Sequence, residues 1–213
     1  WRQNQEYRTN CKVCGTEMYQ GGTGATACVN CPAGWKTMRG TSMTTGTIAN
    51  GCLPCPHQRY DHDSASDTDC KLCPDGYTTH LANNKLTKTA ATQCIACATG
   101  LYDKDDDPQN ECNQCPDGYT AQLDNNKLTS SAATKCKLCP VGWIDNDQES
   151  HTHCTRCGIN TGTYQDAQGS TSCKQCPTGY RQNQERQTNC KKCGTEMYQG
   201  GTGATACVDC PAG

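Results

Sequence analysis

Phenylalanine is absent from this 213-residue chain, and hydrophobic residues make up only 33% of it. One large oily core is thereby excluded. Ordering costs roughly 1.5 kcal/mol per residue, so a segment of about eighteen residues with one or two aromatics cannot fold on apolar burial alone. No apolar run is long enough to span a bilayer, and no basic-plus-apolar leader follows Trp1. No stretch of helical length keeps a 3.6-residue apolar period. Formal net charge is -2, with Lys and Arg interspersed among Asp and Glu. A basic face for nucleic acid or anionic lipid is therefore not expected. Serine is scarce, and no G-x-S-x-G or phosphate-cradling glycine motif occurs. With no nucleophile, base and orienting acid to assemble, the chain is expected not to be an enzyme.

What is abundant is cysteine: 22 residues, every one in a C-x-x-C pair. The eleven pairs begin at Cys11, Cys28, Cys52, Cys70, Cys94, Cys112, Cys136, Cys154, Cys173, Cys190 and Cys207. Cross-links of this density persist only in an oxidising compartment, which places the chain outside the cell or on its surface. A disulfide closing about fifteen residues stabilises by roughly 3 kcal/mol in the chain-entropy model. Such bridges supply what apolar burial cannot. The fold class expected is a small disulfide-rich repeat, an elongated array of stapled loops and short β-ribbons with little helix.

Repetition occurs on two scales. Successive pairs are separated by 13, 20, 14, 20, 14, 20, 14, 15, 13 and 13 residues, so the middle of the chain alternates long and short loops with a 42-residue period. Residues 73–97 and 115–139 are identical at 17 of 25 positions. Residues 1–34 return at 180–213 with five differences in 34, an offset of 179. This predicts a window on a longer tandem array that continues at both ends. Expected segments are 1–34, composite repeats 31–72, 73–114 and 115–156, short-spaced modules 157–179, and the next copy from 180–213. Many pairs open C-P-x-G-aromatic, as at 31–35, 73–77, 115–119, 139–143 and 176–180. Proline presets one turn angle there and glycine supplies a left-handed one, which lets the aromatic fold back over the staple.

Counting constrains the connectivity. Nine pairs per 179-residue period cannot be matched two by two without reversing phase in each copy. A ladder joining the second Cys of each pair to the first of the next avoids this. Its rungs are Cys14–Cys28, Cys31–Cys52, Cys55–Cys70, Cys73–Cys94, Cys97–Cys112, Cys115–Cys136, Cys139–Cys154, Cys157–Cys173, Cys176–Cys190 and Cys193–Cys207. Cys11 and Cys210 are then left to bond into adjacent copies, the expected partners. Crossed pairings within a module are the alternative.

Other constellations compete for a functional role. C-x-x-C pairs at these spacings also match four-thiolate zinc sites of structural type. A redox-active C-x-x-C calls for one pair in a sheet-and-helix scaffold, not eleven uniform ones. Six and eight residues past a Cys, the 14-residue loops carry Asp61 and Asp63, Asp103 and Asp105, Asp145 and Asp147. These carboxylates are candidate calcium ligands, although the EF-hand glycine and distal Glu are missing; Asx-turns are the plainer reading. No other cofactor is implied. The five histidines share no repeated offset. Threonine reaches 29 residues, clustered at 41–47, 86–92 and 128–134, and no Asn-x-Ser/Thr acceptor exists. Any glycan would be O-linked, with Thr44, Thr45, Thr87, Thr89 and Thr129 as candidates.

The run of C-x-x-C-P-x-G-aromatic segments with Thr- and Asn-rich loops resembles the ciliate immobilisation-type surface antigens, whose tandem cysteine repeats coat the cell. Growth-factor-receptor-like and tumour-necrosis-factor-receptor-like ectodomains have similar spacing, and variant surface proteins of flagellate parasites a similar C-x-x-C density. The resemblance implies an extracellular surface coat or filament backbone. A receptor-like ligand-binding ectodomain is the alternative and a structural zinc array the second.

Overall fold

A computed structural model of the chain describes residues 11–40, 42–43 and 48–211. Among them there is no helix, and none long and apolar enough to cross a membrane. Ten antiparallel ribbons follow one another. They are Met18–Tyr19 with Val29–Asn30, Trp35–Arg39 with Gly51–Pro54, Arg59–Tyr60 with Lys71–Leu72, Tyr77–His80 with Gln93–Ala96, and Leu101–Tyr102 with Asn113–Gln114. Tyr119–Gln122 with Lys135–Leu138, Trp143–Ile144 with Thr155–Arg156, Thr163–Tyr164 with Lys174–Gln175, Tyr180–Arg181 with Lys191–Lys192, and Met197–Tyr198 with Val208–Asp209 complete the series. Ser42–Met43 adds a third strand beside Trp35–Arg39.

Each ribbon carries one bridge, and every bridge joins the second Cys of a pair to the first of the next. The ten are Cys14–Cys28, Cys31–Cys52, Cys55–Cys70, Cys73–Cys94, Cys97–Cys112, Cys115–Cys136, Cys139–Cys154, Cys157–Cys173, Cys176–Cys190 and Cys193–Cys207. The Cα atoms lie 5.7 to 5.8 Å apart, which two paired strands supply without distortion. A second tie is equally regular. The closing Cys of each ribbon donates its N–H to the carbonyl of the turn residue that opens it, as in Cys55 to Gly34 at 2.8 Å and Cys139 to Gly118 at 2.9 Å. That turn residue has positive φ in all ten ribbons: seven are glycine, and Glu17, Gln58 and Glu196 fill the rest.

The core is sulfur and polar atoms rather than rings. Cys55, Cys97, Cys139, Cys157, Cys176, Thr37, Thr79, Pro108 and Gln182 are fully buried, whereas every described Trp and Tyr is half-buried or exposed. Rings over short ribbons with no second layer keep one face in water.

The chain divides into two compact units, Trp1–Cys97 with Asp105–Cys112, and Ala98–Lys104 with Asn113–Gly213. Both are built by the same rule. In the first, Gln20, Thr37, Asp61 and Thr79 donate their N–H to carbonyls in the next ribbon's loop, those of Ala49, Ser66, Ala91 and Pro108. In the second, Asp103, Ala121, Asp145, Gln165 and Gln182 donate to Ala133, Ser150, Ser170, Gln187 and Ala204. Distances run from 2.6 to 3.3 Å. These bonds satisfy backbone groups that burial would otherwise leave without water.

Ribbons also reach the next but one. In the first unit Ala90 donates to Cys55 O at 3.0 Å, and in the second Gly169 donates to Cys139 O and Gly203 to Cys176 O, both at 2.9 Å. This closeness leaves no room at the turns: a Cβ on Gly118 would lie 2.0 Å from Gly169 O.

Candidate functional site

The repeated junction is the best-defined site of the molecule, and the aspartates six residues past a Cys sit at its centre. Asp61, Asp103 and Asp145 are buried, at 5%, 4% and 3% exposure. Asp61 Oδ2 accepts the N–H of Gly34 and Asp145 Oδ2 that of Gly118, each at 2.9 Å. The acidic side chain of one ribbon thus caps the left-handed turn of the ribbon before it. A charged acceptor makes this bond stronger than an amide pair would be.

The aspartates eight residues past a Cys do something else. They are exposed and close their own loops. Asp63 Oδ1 accepts Ala65 N–H and the Thr68 hydroxyl, Asp105 Oδ1 accepts Asp107 N–H, and Asp147 Oδ1 accepts Glu149 N–H and the Thr152 hydroxyl. The Thr68 hydroxyl, and after it the Ala65 N–H, hold the Asp63 carboxyl below the usual carboxylate range. For Asp147 the Glu149 N–H comes first and the Thr152 hydroxyl second. A depressed value in the folded state means that this support is present at neutral pH. It is lost as pH falls through the carboxylate range.

The six candidate calcium ligands are therefore not equivalent, and no group of three or more His, Cys, Asp or Glu that could hold a metal occurs among the described residues. Twenty of the cysteines are held in bridges and present no thiolate to zinc. A substitution pair separates the two roles of aspartate. Asp145→Ala strands the buried Gly118 N–H and should cost about 2 kcal/mol, whereas Asp147→Ala on the exposed turn should cost about 0.5 kcal/mol. Urea unfolding measures both, and equal losses would refute the distinction; a melting shift on adding EDTA would instead reveal a bound cation.

In the 15- and 13-residue loops that follow, glutamine takes the place of aspartate, a role the sequence reading did not assign. Gln165 Nε2 donates to Ser172 O at 2.6 Å and its Oε1 accepts Ala167 N–H at 3.0 Å. Gln182 does the same with Asn189 O and Gln184 N–H. The signal was available, since Gln165, Gln182 and Gln199 each follow Tyr within two residues.

Cys11 and Cys210 are unbridged and exposed. At the 179-residue offset they correspond to Cys190 and Cys31, which are bridged to Cys176 and Cys52. Of the threonine candidates, Thr44 and Thr45 lie outside the described residues. Thr89 is exposed. Thr87 and Thr129 are half-buried, and their hydroxyls donate to Thr89 O and Ser131 O.

The family model for tyrosine-protein kinase ephrin type A/B receptor-like domains matches residues 162–210, the stretch of the last three ribbons. No curated protein matches the chain.

Proposed function

We propose that this chain is part of an extracellular structural array, the backbone of a surface coat or filament, with no catalytic role. The cysteine-rich, disulfide-stapled repeat is the premise, and disulfides at this density belong to an oxidising compartment. The observation that carries the proposal is the junction that recurs nine times with one hydrogen-bond pattern. A surface evolved for one ligand would need one or two modules set apart from the rest, whereas a scaffold needs each step to propagate the one before. Cys11 and Cys210 fit this reading as points where adjacent copies join, because their counterparts one period away are both bridged. A coat of the immobilisation-antigen kind is one version of such an array.

The second reading is a receptor-like ectodomain, favoured by the ephrin-receptor-like match over 162–210. Electron microscopy of the native protein separates them. An array gives regular filaments or a coat with a spacing set by the 179-residue period, and unreduced peptide maps then link Cys11 to the Cys corresponding to Cys176 in a neighbouring copy. Monodisperse particles with Cys11 and Cys210 as free thiols would favour the receptor reading.

A further inference from the structure

Within the second unit an open groove of about 1080 Å³ is lined by Tyr102, Tyr119 and Trp143 together with Lys104, Lys135 and Lys137. His153 adds a fourth basic side chain, and no Asp or Glu lines it. Lys135 lies 3.2 Å from Asp124, which stands outside the lining, while Lys104 and Lys137 have no carboxylate partner among the described residues. Arg156 and Arg186 approach the Trp143 ring at 5.2 and 5.5 Å from outside the lining, and both are paired with Glu185, so the free charge of the groove is that of its lysines. In a chain of net charge -2, this is a concentrated basic surface.

The groove is also where the 42-residue repeat departs from itself. One period earlier the corresponding residues are His62 for Lys104, Gln93 for Lys135, Ile95 for Lys137, Leu101 for Trp143 and Glu111 for His153. Segments 73–97 and 115–139 share 17 of 25 residues, yet two of their eight differences bring lysine into this lining. Conformational needs of the ribbon do not demand these changes, since both segments form the same four-residue strand pairs.

We propose that this groove binds an acidic polysaccharide, a site that the scaffold role does not require. Sulfate or carboxylate groups would sit against Lys104, Lys135 and Lys137, and sugar rings against the three aromatic faces. Aromatic surface combined with a few placed polar groups is what recognition of such a ligand needs. Gln122, Asn126 and Thr134 supply the polar groups of the lining. An open trough lets a polymer pass through, and its charge is complementary to a polyanion.

The test titrates the full chain with heparin, neutral dextran and polyglutamate at about 150 mM salt, where charges are screened beyond ~8 Å. Heparin should bind at least about tenfold more tightly than either control. The double variant Lys135→Gln with Lys137→Ile installs the residues of the sister segment, so its melting temperature should be unchanged while heparin affinity falls roughly tenfold. Polyglutamate binding as tightly as heparin would replace the saccharide with an acidic peptide and overturn the proposal. So would full heparin affinity in the double variant, or no heparin binding at all.

Discussion

Full reduction and alkylation should leave no folded chain. Each bridge closes a loop with a sequence separation of 14 to 21 residues. That contributes roughly 3 kcal/mol apiece, against a total stability of about 5–15 kcal/mol for an ordinary domain. The buried hydrophobic side chains cannot make up the loss, because nine of the fifteen are half-cystines and most of the rest are alanines. Amide NMR dispersion and resistance to protease should both vanish. A single-rung version is gentler: replacing Cys115 and Cys136 by Ala should cost about 3 kcal/mol and loosen the Tyr119–Gln122 ribbon first. Retained dispersion after reduction would show that burial suffices. Unfolding by EDTA instead of reductant would reinstate zinc.

The second large effect turns on two glycines of nearly equal φ, Gly118 at +84° and Gly100 at +79°. Both open a ribbon in the second unit, so alanine at either must enter the left-handed region, at about 1 kcal/mol. Their surroundings differ. A Cβ at Gly118 would come within 2.0 Å of the Gly169 carbonyl oxygen, whereas at Gly100 the nearest atoms, on Gln114 and Ser150, are 3.7 Å away. Gly118→Ala must therefore push the ribbon after next out of place, for a total of roughly 3–4 kcal/mol. Gly100→Ala should lose about 1 kcal/mol. Urea midpoints of the two variants decide the matter, and equal shifts would mean that the close approach is not maintained in solution.

The contrast between these glycines marks what sequence alone can show. Ribbons without helix, a stapled repeat, and the turn glycine of the five ribbons that open on C-P-x-G follow from the cysteine spacing and from that motif. The turn conformation at Glu17, Gln58 and Glu196 could not be read that way, because a side chain that pays the left-handed penalty leaves no compositional trace. Neither could the packing of Gly118 on Gly169, since two backbones 51 residues apart meet only through the ribbon between them. The aspartates illustrate a subtler limit. Asp145 and Asp147 look alike in sequence, two residues apart and repeated together. One is buried against another ribbon's turn and the other holds its own loop, because the strand ends at Ile144 and the chain bends between the two aspartates, so the strand's same-face rule for residues two apart no longer applies.

The arrangement of bridges also decides what happens when the chain is pulled or cut. A covalent path runs along the two-residue spacers and across each bridge, bypassing every loop of 13 to 20 residues. Fully drawn out, that path measures about 17 Å per ribbon, against roughly 70 Å for an unbridged chain of the same length. Tension along the chain is borne by the short path while the loops hang slack beside it. A protease that nicks one loop leaves both fragments tethered, and only a cut inside a C-x-x-C spacer parts the molecule. Loop sequences can then vary, as 31–55 does against 73–97, without weakening the strand they decorate.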